Sequence, residues 1–461
     1  MPALSSYRTR LAGLLAELAG EHRVPGAACG VLLGDEAEVA THGVANVATG
    51  VPVTPATLFQ IGSVTKVYTS TLVQQAQAAG VVSLDEPVRA QLQEFMVADP
   101  GATIEITPRH LLTHTSGIEG DHLIDTGWNP DALQRYVATL AGLGQIHAAD
   151  EAYSFCNTGY AVVGRLLEVA TGEHFDRVLR RRLTRPLGCR ATLTLPQHAL
   201  LHSVAVGHVQ APGTEPVRQG RWTLTRSNGP MGGIMAPAGE LLAFARMHLE
   251  GGCAADGTDL LSPADVEAMQ RPHVESHVPG EEQALGWTVR RWGDDVCLAQ
   301  DADTFGQRAF LRVVPARRLA VCVLTNSPTG GVLGQRLIER VATDLLDVDP
   351  GESGGSAATT AASDGAVEGG HEGVYDRLHQ RLTVTAPGGS APVLTTEPSG
   401  MLQALGVHDE ELTLRALDPE GRVFVTTDPR SGMRELVVFT GAPGGPRTGV
   451  YLGGRLHRRV G

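Results

Sequence analysis

Between Asp349 and Gly370 the chain runs DPGESGGSAATTAASDGAVEGG, small and polar, with no hydrophobic period over its whole length. Such a stretch cannot bury enough apolar surface to offset the entropy of ordering itself, so it reads as a linker. It constrains everything else, because the 461 residues must then fold as two separate units, 1–348 and 371–461, each with its own core.

The two units carry different patterns. After the linker, RLTVTA, ELTLRAL, RVFVTT and RELVVFTG alternate apolar with polar residues and are separated by turns such as DPEG and GAPGGP. That predicts a small antiparallel β-barrel-like domain. In the first unit GVLLG and ATHGVANVATG read as a hairpin close to the N-terminus. Further on, LAVCVLTNS reads as a buried strand followed by a closing helix, VLGQRLIERVATDLL. Helices and strands do not alternate in simple βαβ order, which points to an α+β fold with an antiparallel sheet flanked by helices. There is no phosphate loop and no GxGxxG.

The formal charge of -13 argues against nucleic acid or an anionic membrane surface as the main partner. A small-molecule or peptidyl substrate fits better. In MPALSSYRTRLAGLLAELAG, Leu11, Leu14, Leu15 and Leu18 lie at amphipathic-helix spacing with Arg10 and Glu17 among them, unlike the apolar core of a secretion signal. The six cysteines (Cys29, Cys156, Cys189, Cys253, Cys297, Cys322) form no close pairs, as expected of reduced thiols in a cytoplasmic protein.

One residue stands out chemically. Lys66, in LFQIGSVTKVYTS, is the one lysine among 37 basic residues, all the others being arginine. A guanidinium cannot give up its proton at usable pH, whereas an amine can, so a lone lysine suggests work that needs a neutral amine. Gly62 and Ser63 look like a tight entry into a helix that continues until Gly80. Ser63 and Lys66 would then lie three apart on one face, with the amine in reach of the hydroxyl. A serine becomes a nucleophile when a neighbouring base takes its proton, and free N–H groups at a helix start can stabilise an oxyanion. The bland alternative is an N-cap serine beside a surface cation.

Several stretches occur in an order that resembles the serine β-lactamase and penicillin-binding-protein superfamily, particularly its class C-like esterases, peptidases and transacylases. They are LFQIGSVTK; SLDEPV at Ser83–Val88; ITPRHLLTHTSGI at Ile106–Ile118; NTGYAVVGRLLEVATG at Asn157–Gly172; GPMGGIMAPAGELLAFARMHL at Gly229–Leu249; and GQRAFLRVVPARRLAVCVLTNS at Gly306–Ser327. The second unit, ending YLGGRLHRRV, resembles the lipocalin-like appendage of some members, among them thioesterases that cyclise nonribosomal peptides. The resemblance implies Ser63 as nucleophile, Lys66 as its base and Asn157 as the residue orienting lysine and substrate carbonyl. The backbone N–H of Asp303 would complete an oxyanion hole with that of Ser63. No metal and no cofactor are implied.

Two family positions depart from the pattern. The Tyr-x-Asn motif reads Phe155, Cys156, Asn157, so the phenol is missing. The Lys/His-x-Gly motif reads Gln300, Asp301, Ala302, so the cation is missing and a methyl replaces a hydrogen. Losing a positioned proton carrier costs about 10²- to 10⁴-fold, and water-driven deacylation suffers most. Tyr153, two residues before Phe155, is a candidate substitute phenol that an extended backbone would turn to the same side. His110 and His114 lie four apart without an evident third metal ligand, and Cys156 reads as a small buried hydrophobe. Two functions follow. One is a serine acyl-transfer enzyme acting on an ester, thioester or amide, with a carrier-bound thioester among the candidate substrates. The other is a catalytically altered or inactive descendant that binds a ligand in the old cleft.

Overall fold

The computed structural model describes residues 4–210, 215–220, 222, 224–350, 370–386, 391–404, 407–418, 420–442 and 445–460. Most of the expected linker falls outside them. The leucine spacing at the N-terminus forms helix α1 (Leu4–Glu21), which buries Tyr7, Leu11, Leu15 and Leu18 along one stripe. Strands β1 (Gly26–Leu33) and β2 (Glu36–Asn46) follow as the expected hairpin, closing with Leu33 opposite Glu36. After β3 (Val51–Pro52) come three helices that matter here: α2 (Thr65–Ala78), α3 (Asn157–Thr171) and α4 (Ala238–Leu249).

The sheet is completed by β4 (Val274–Glu275), β5 (Glu282–Gln283), β6 (Thr288–Trp292), β7 (Asp295–Thr304), β8 (Gln307–Val314) and β9 (Leu319–Thr325), and helix α5 (Gly330–Leu346) closes the unit. Its order is β3-β2-β1-β9-β8-β7-β6-β5-β4, antiparallel throughout. All seven residues of β9 are buried because both faces of the sheet are covered. Val321 and Val323 belong to one core cluster with Leu11, Leu15, Leu337 and Val341 of α1 and α5, while Cys322 and Leu324 belong to the other, with Leu242 of α4. The sheet thus presents one end of β7 to the start of α2.

The second sheet contains β10 (Gly373–Arg377), β11 (Gln380–Thr385), β12 (Val393–Pro398), β13 (Glu410–Thr413), β14 (Arg415–Ala416), β15 (Val423–Thr427), β16 (Arg434–Thr440), β17 (Gly449–Leu452) and β18 (Arg455–Val460). The order β13-β12-β11-β10-β18-β17-β16-β15-β14 puts its two edges, β13 and β14, next to each other in sequence. The sheet therefore curls into a nearly closed barrel around Tyr375, Leu382, Leu394, Phe424 and Phe439. ELTLRAL, read as one strand, is two: Leu414, between them, is buried in the core and donates its N–H to the Pro392 carbonyl at 2.9 Å.

The barrel is sewn to the first unit along one seam. Tyr451 Oη donates to the Tyr153 carbonyl at 2.7 Å, Leu456 N–H to Ser154 Oγ at 3.2 Å and Phe155 N–H to the Gly454 carbonyl at 2.9 Å. Tyr153 and Val278 share an apolar cluster with Leu436, Val438 and Tyr451.

Candidate active site

Gly62 enters the helix at φ 47° after the short strand Phe59–Gln60. A Cβ there would sit 2.9 Å from Ala302 Cβ and 2.7 Å from Thr304 Cγ2, so only glycine lets this turn press against β7. A 3₁₀ turn over Gly62–Val64 leads into α2, leaving Ser63 half-buried and Lys66 one turn on, fully buried.

Lys66 Nζ has three oxygen neighbours: Ser63 Oγ at 3.0 Å, Asn157 Oδ1 at 2.7 Å and the Met231 carbonyl at 2.9 Å. Two of these only accept. A neutral amine has two N–H groups and one lone pair, so donating to Asn157 and Met231 leaves the lone pair facing the serine hydroxyl. Burial, reinforced by the Arg455 charge and opposed by Asp121 and Cys156, brings the amine down from 10.5 to about 7. An amine so placed can take a proton from the neighbouring hydroxyl.

Asn157 begins α3 and is held from its other end, donating from Nδ2 to Asp121 Oδ1 at 2.8 Å. The buried Asp121 is in turn clamped by Arg377 Nη2 at 2.7 Å and Arg455 Nε at 2.6 Å, both from the barrel. Burial would raise its carboxyl, yet the two guanidinium groups and these bonds hold it well below the usual range. Met231 belongs to the GPMGG turn, fastened across α2 by Thr69 Oγ1 donating to the Pro230 carbonyl at 2.7 Å.

Phe155 puts its ring where Lys66 Nζ lies 4.7 Å from the centroid, and Arg455 Cζ lies 4.7 Å from the same centroid. Gln300 is buried and donates from Nε2 to the Ser63 carbonyl at 3.3 Å, so its amide steadies the turn that carries Ser63. Asp303 is on β7 opposite Arg308, with its side chain exposed and paired to Arg308 at 3.2 Å. Tyr153 is at the seam, its ring stacked on His277 at 5.8 Å, and it is not among the hydrogen-bond partners of Lys66. Burial raises its phenol well above the ordinary value.

The remaining candidates have local partners. His110 Nδ1 accepts from Thr107 N–H in a capping box, and His114 Nδ1 accepts from Cys156 N–H at 2.9 Å. Among the described residues no three metal-ligating side chains converge. Burial pushes the Cys156 thiol up to about 12, and its sulfur accepts from Gly159 N–H. Sequence reasoning missed Met231, Asp121, Arg377 and Arg455. The only signal was the pair of glycines before Arg455 in YLGGRLHRRV, which permits a tight hairpin.

The β-lactamase family model matches residues 11–346, most of the chain and all of this constellation except the barrel arginines. The chain belongs to the β-lactamase family. This β-lactamase-family chain is 41% identical over 317 residues to penicillin-binding protein 4 of Amycolatopsis lactamdurans, covering 68% of this chain and 82% of that one. The crystal structure of SurE superposes with a TM-score of 0.76 at 28% identity over 99% of this chain and 100% of that one, barrel included. A class C β-lactamase from Rhodobacter sphaeroides shares the fold of the first unit, with a TM-score of 0.61 at 22% identity over 73% of this chain and 99% of that one. Among the described residues no helix is long and apolar enough to cross a membrane.

Proposed function

We propose that the protein is a serine acyl-transfer enzyme working through an acyl-Ser63 intermediate. The observation carrying this reading is the three-way contact of Lys66 Nζ, in which two carbonyl oxygens take the amine's hydrogens and leave its lone pair to Ser63. Ser63 Oγ attacks the substrate carbonyl carbon as its proton passes to Lys66. The oxyanion is received by the Ser63 and Asp303 N–H groups. Collapse expels the leaving group, which takes the proton back from Lys66, and water or an amine then releases the acyl group by the reverse order of steps. An ester or thioester, free or carrier-bound, is the substrate class best matched, since its leaving group needs less protonation than an amine. A cytoplasmic setting accords with six free thiols.

Incubation with a fluorophosphonate is expected to add its mass to Ser63, and an unmodified serine after prolonged exposure would overturn the reading. The rate of modification should rise about tenfold per pH unit below 7 and level off above it, because only the neutral amine accepts the proton. A rate still climbing to pH 10 would contradict an amine near 7.

The second reading, a cleft altered so that it binds more than it turns over, is favoured by one observation: an apolar ring, Phe155, beside the amine where a proton carrier would serve. Phe155→Tyr is expected to speed deacylation by about 10- to 100-fold with little change in acylation of an activated ester. Burst and steady-state kinetics measured together separate the two, and an unchanged steady state would exclude the missing phenol as the bottleneck.

A further inference from the structure

The tip of the β17–β18 hairpin reaches the wall of the active site. Gly454, at φ 76°, accepts from Phe155 N–H at 2.9 Å, and a Cβ there would lie 3.2 Å from His277 and 3.5 Å from Phe155 Cβ. This close approach brings the next residue, Arg455, to the Phe155 ring. Arg455 Nη1 donates to the Gly453 carbonyl at 2.7 Å, while Nε and Nη2 fork onto Asp121 at 2.6 and 3.3 Å. The guanidinium is thus fixed on three sides.

The groups around Lys66 are few. From α3 and its cap come Asn157, Tyr160 and Cys156; from the preceding loops come His114 and Asp121; from the GPMGG turn, a carbonyl; from the barrel, Arg455, with Arg377 behind Asp121 and Glu119 beside those two rather than the amine. His114 is held far below its ordinary value by burial and the Cys156 thiol far above, so both are neutral at pH 7. The ions acting directly on the amine are therefore Asp121 and Arg455. Both cations lie 4.7 Å from the centroid of the same Phe155 ring, which carries no hydroxyl.

We propose that Arg455, delivered by the barrel and locked by Asp121, is a positioning residue for Ser63 activation. Its charge, set against the Phe155 ring, adds to burial in keeping Lys66 neutral, and Asp121 sets the Asn157 amide so that oxygen rather than nitrogen faces Lys66. The barrel is then part of the catalytic apparatus. This rests on the proposed role of Lys66 as the base.

The single lysine makes a direct test possible. Full-length protein labelled with ¹³C at lysine Cε gives one lysine resonance, whose titration reports Lys66 alone. A midpoint near 7 is expected for the wild type. Arg455→Met should raise it by about one pH unit, and Asp121→Asn should lower it by about one, since the charges removed act on the amine in opposite directions. The acid limb of fluorophosphonate modification should move with the resonance. A merely structural role would move both variants in the same direction or neither, and either result overturns the proposal. If Arg455→Met does not fold, Arg455→Gln removes the same charge, and a wild-type midpoint near 10 overturns the proposal without any variant. If Ser63 resists modification at every pH while the midpoints still diverge, the acyl-transfer reading falls and the electrostatic coupling stands. If Ser63 is modified but the midpoints do not diverge, only the coupling falls.

Discussion

Lys66→Met is expected to slow modification of Ser63 by at least about 10³-fold while leaving the fold as stable as before, or more so. The first effect follows from removing the one base in contact with the hydroxyl. The second follows from linkage. An amine lowered from 10.5 to about 7 in the folded state binds fewer protons there than in the unfolded chain. The resulting penalty is fully present below pH 7 and fades as pH rises toward 10.5. At 1.36 kcal/mol per pH unit it is at most a few kcal/mol, partly offset by three hydrogen bonds worth about 1 kcal/mol each. Urea unfolding of both proteins between pH 6 and 10 checks this. The wild type should gain stability relative to the variant as pH rises, and parallel curves would mean that the amine is not depressed.

Asp121→Ala should be the most damaging single change at the seam, costing about 3–5 kcal/mol. Asp121 is 3% exposed and is the counter-ion of Arg377 and Arg455, and Arg377, 2% exposed, has among the described residues no hydrogen bond other than that to Asp121. Removing the carboxylate strands a buried guanidinium. It also frees the Asn157 amide to turn, so modification of Ser63 should slow alongside the loss of stability. The Arg458–Glu151 bridge on the same seam, exposed 35% and 48%, offers the contrast. Its loss through Glu151→Gln should cost under about 1 kcal/mol. Urea midpoints of the two variants rank the contributions, and equal losses would mean that Asp121 is better compensated than its burial implies.

What could be read from sequence was whatever local pattern specifies. The α1 leucines, the β1–β2 hairpin, strand β9 with α5, and the Gly62-Ser63-Lys66 entry each depend on neighbours within a few turns, and each is present. The alternation in the second unit likewise announced a β domain. Contacts made across long separations left no such trace. Asp121 lies in a loop without periodicity, and its partners are 256 and 334 positions away. Gln300 marked the absence of a cation, but its bond to the Ser63 carbonyl depends on how β7 lies against α2. Tyr153 shows the limit of strand parity, since its ring is taken up by the seam.

The seam has a consequence for biogenesis. Ser63 and Lys66 leave the ribosome roughly 390 residues before Arg455, which at 5–20 residues per second is a delay of about 20–80 s. Until that hairpin is made, the nascent first unit holds Ser63 and Lys66 while the Asp121 carboxylate lacks its Arg455 partner. The balance of charge around Lys66 is thereby tied to completion of the β17–β18 hairpin, and a chain stalled before it would lack the Arg455 guanidinium beside Asp121.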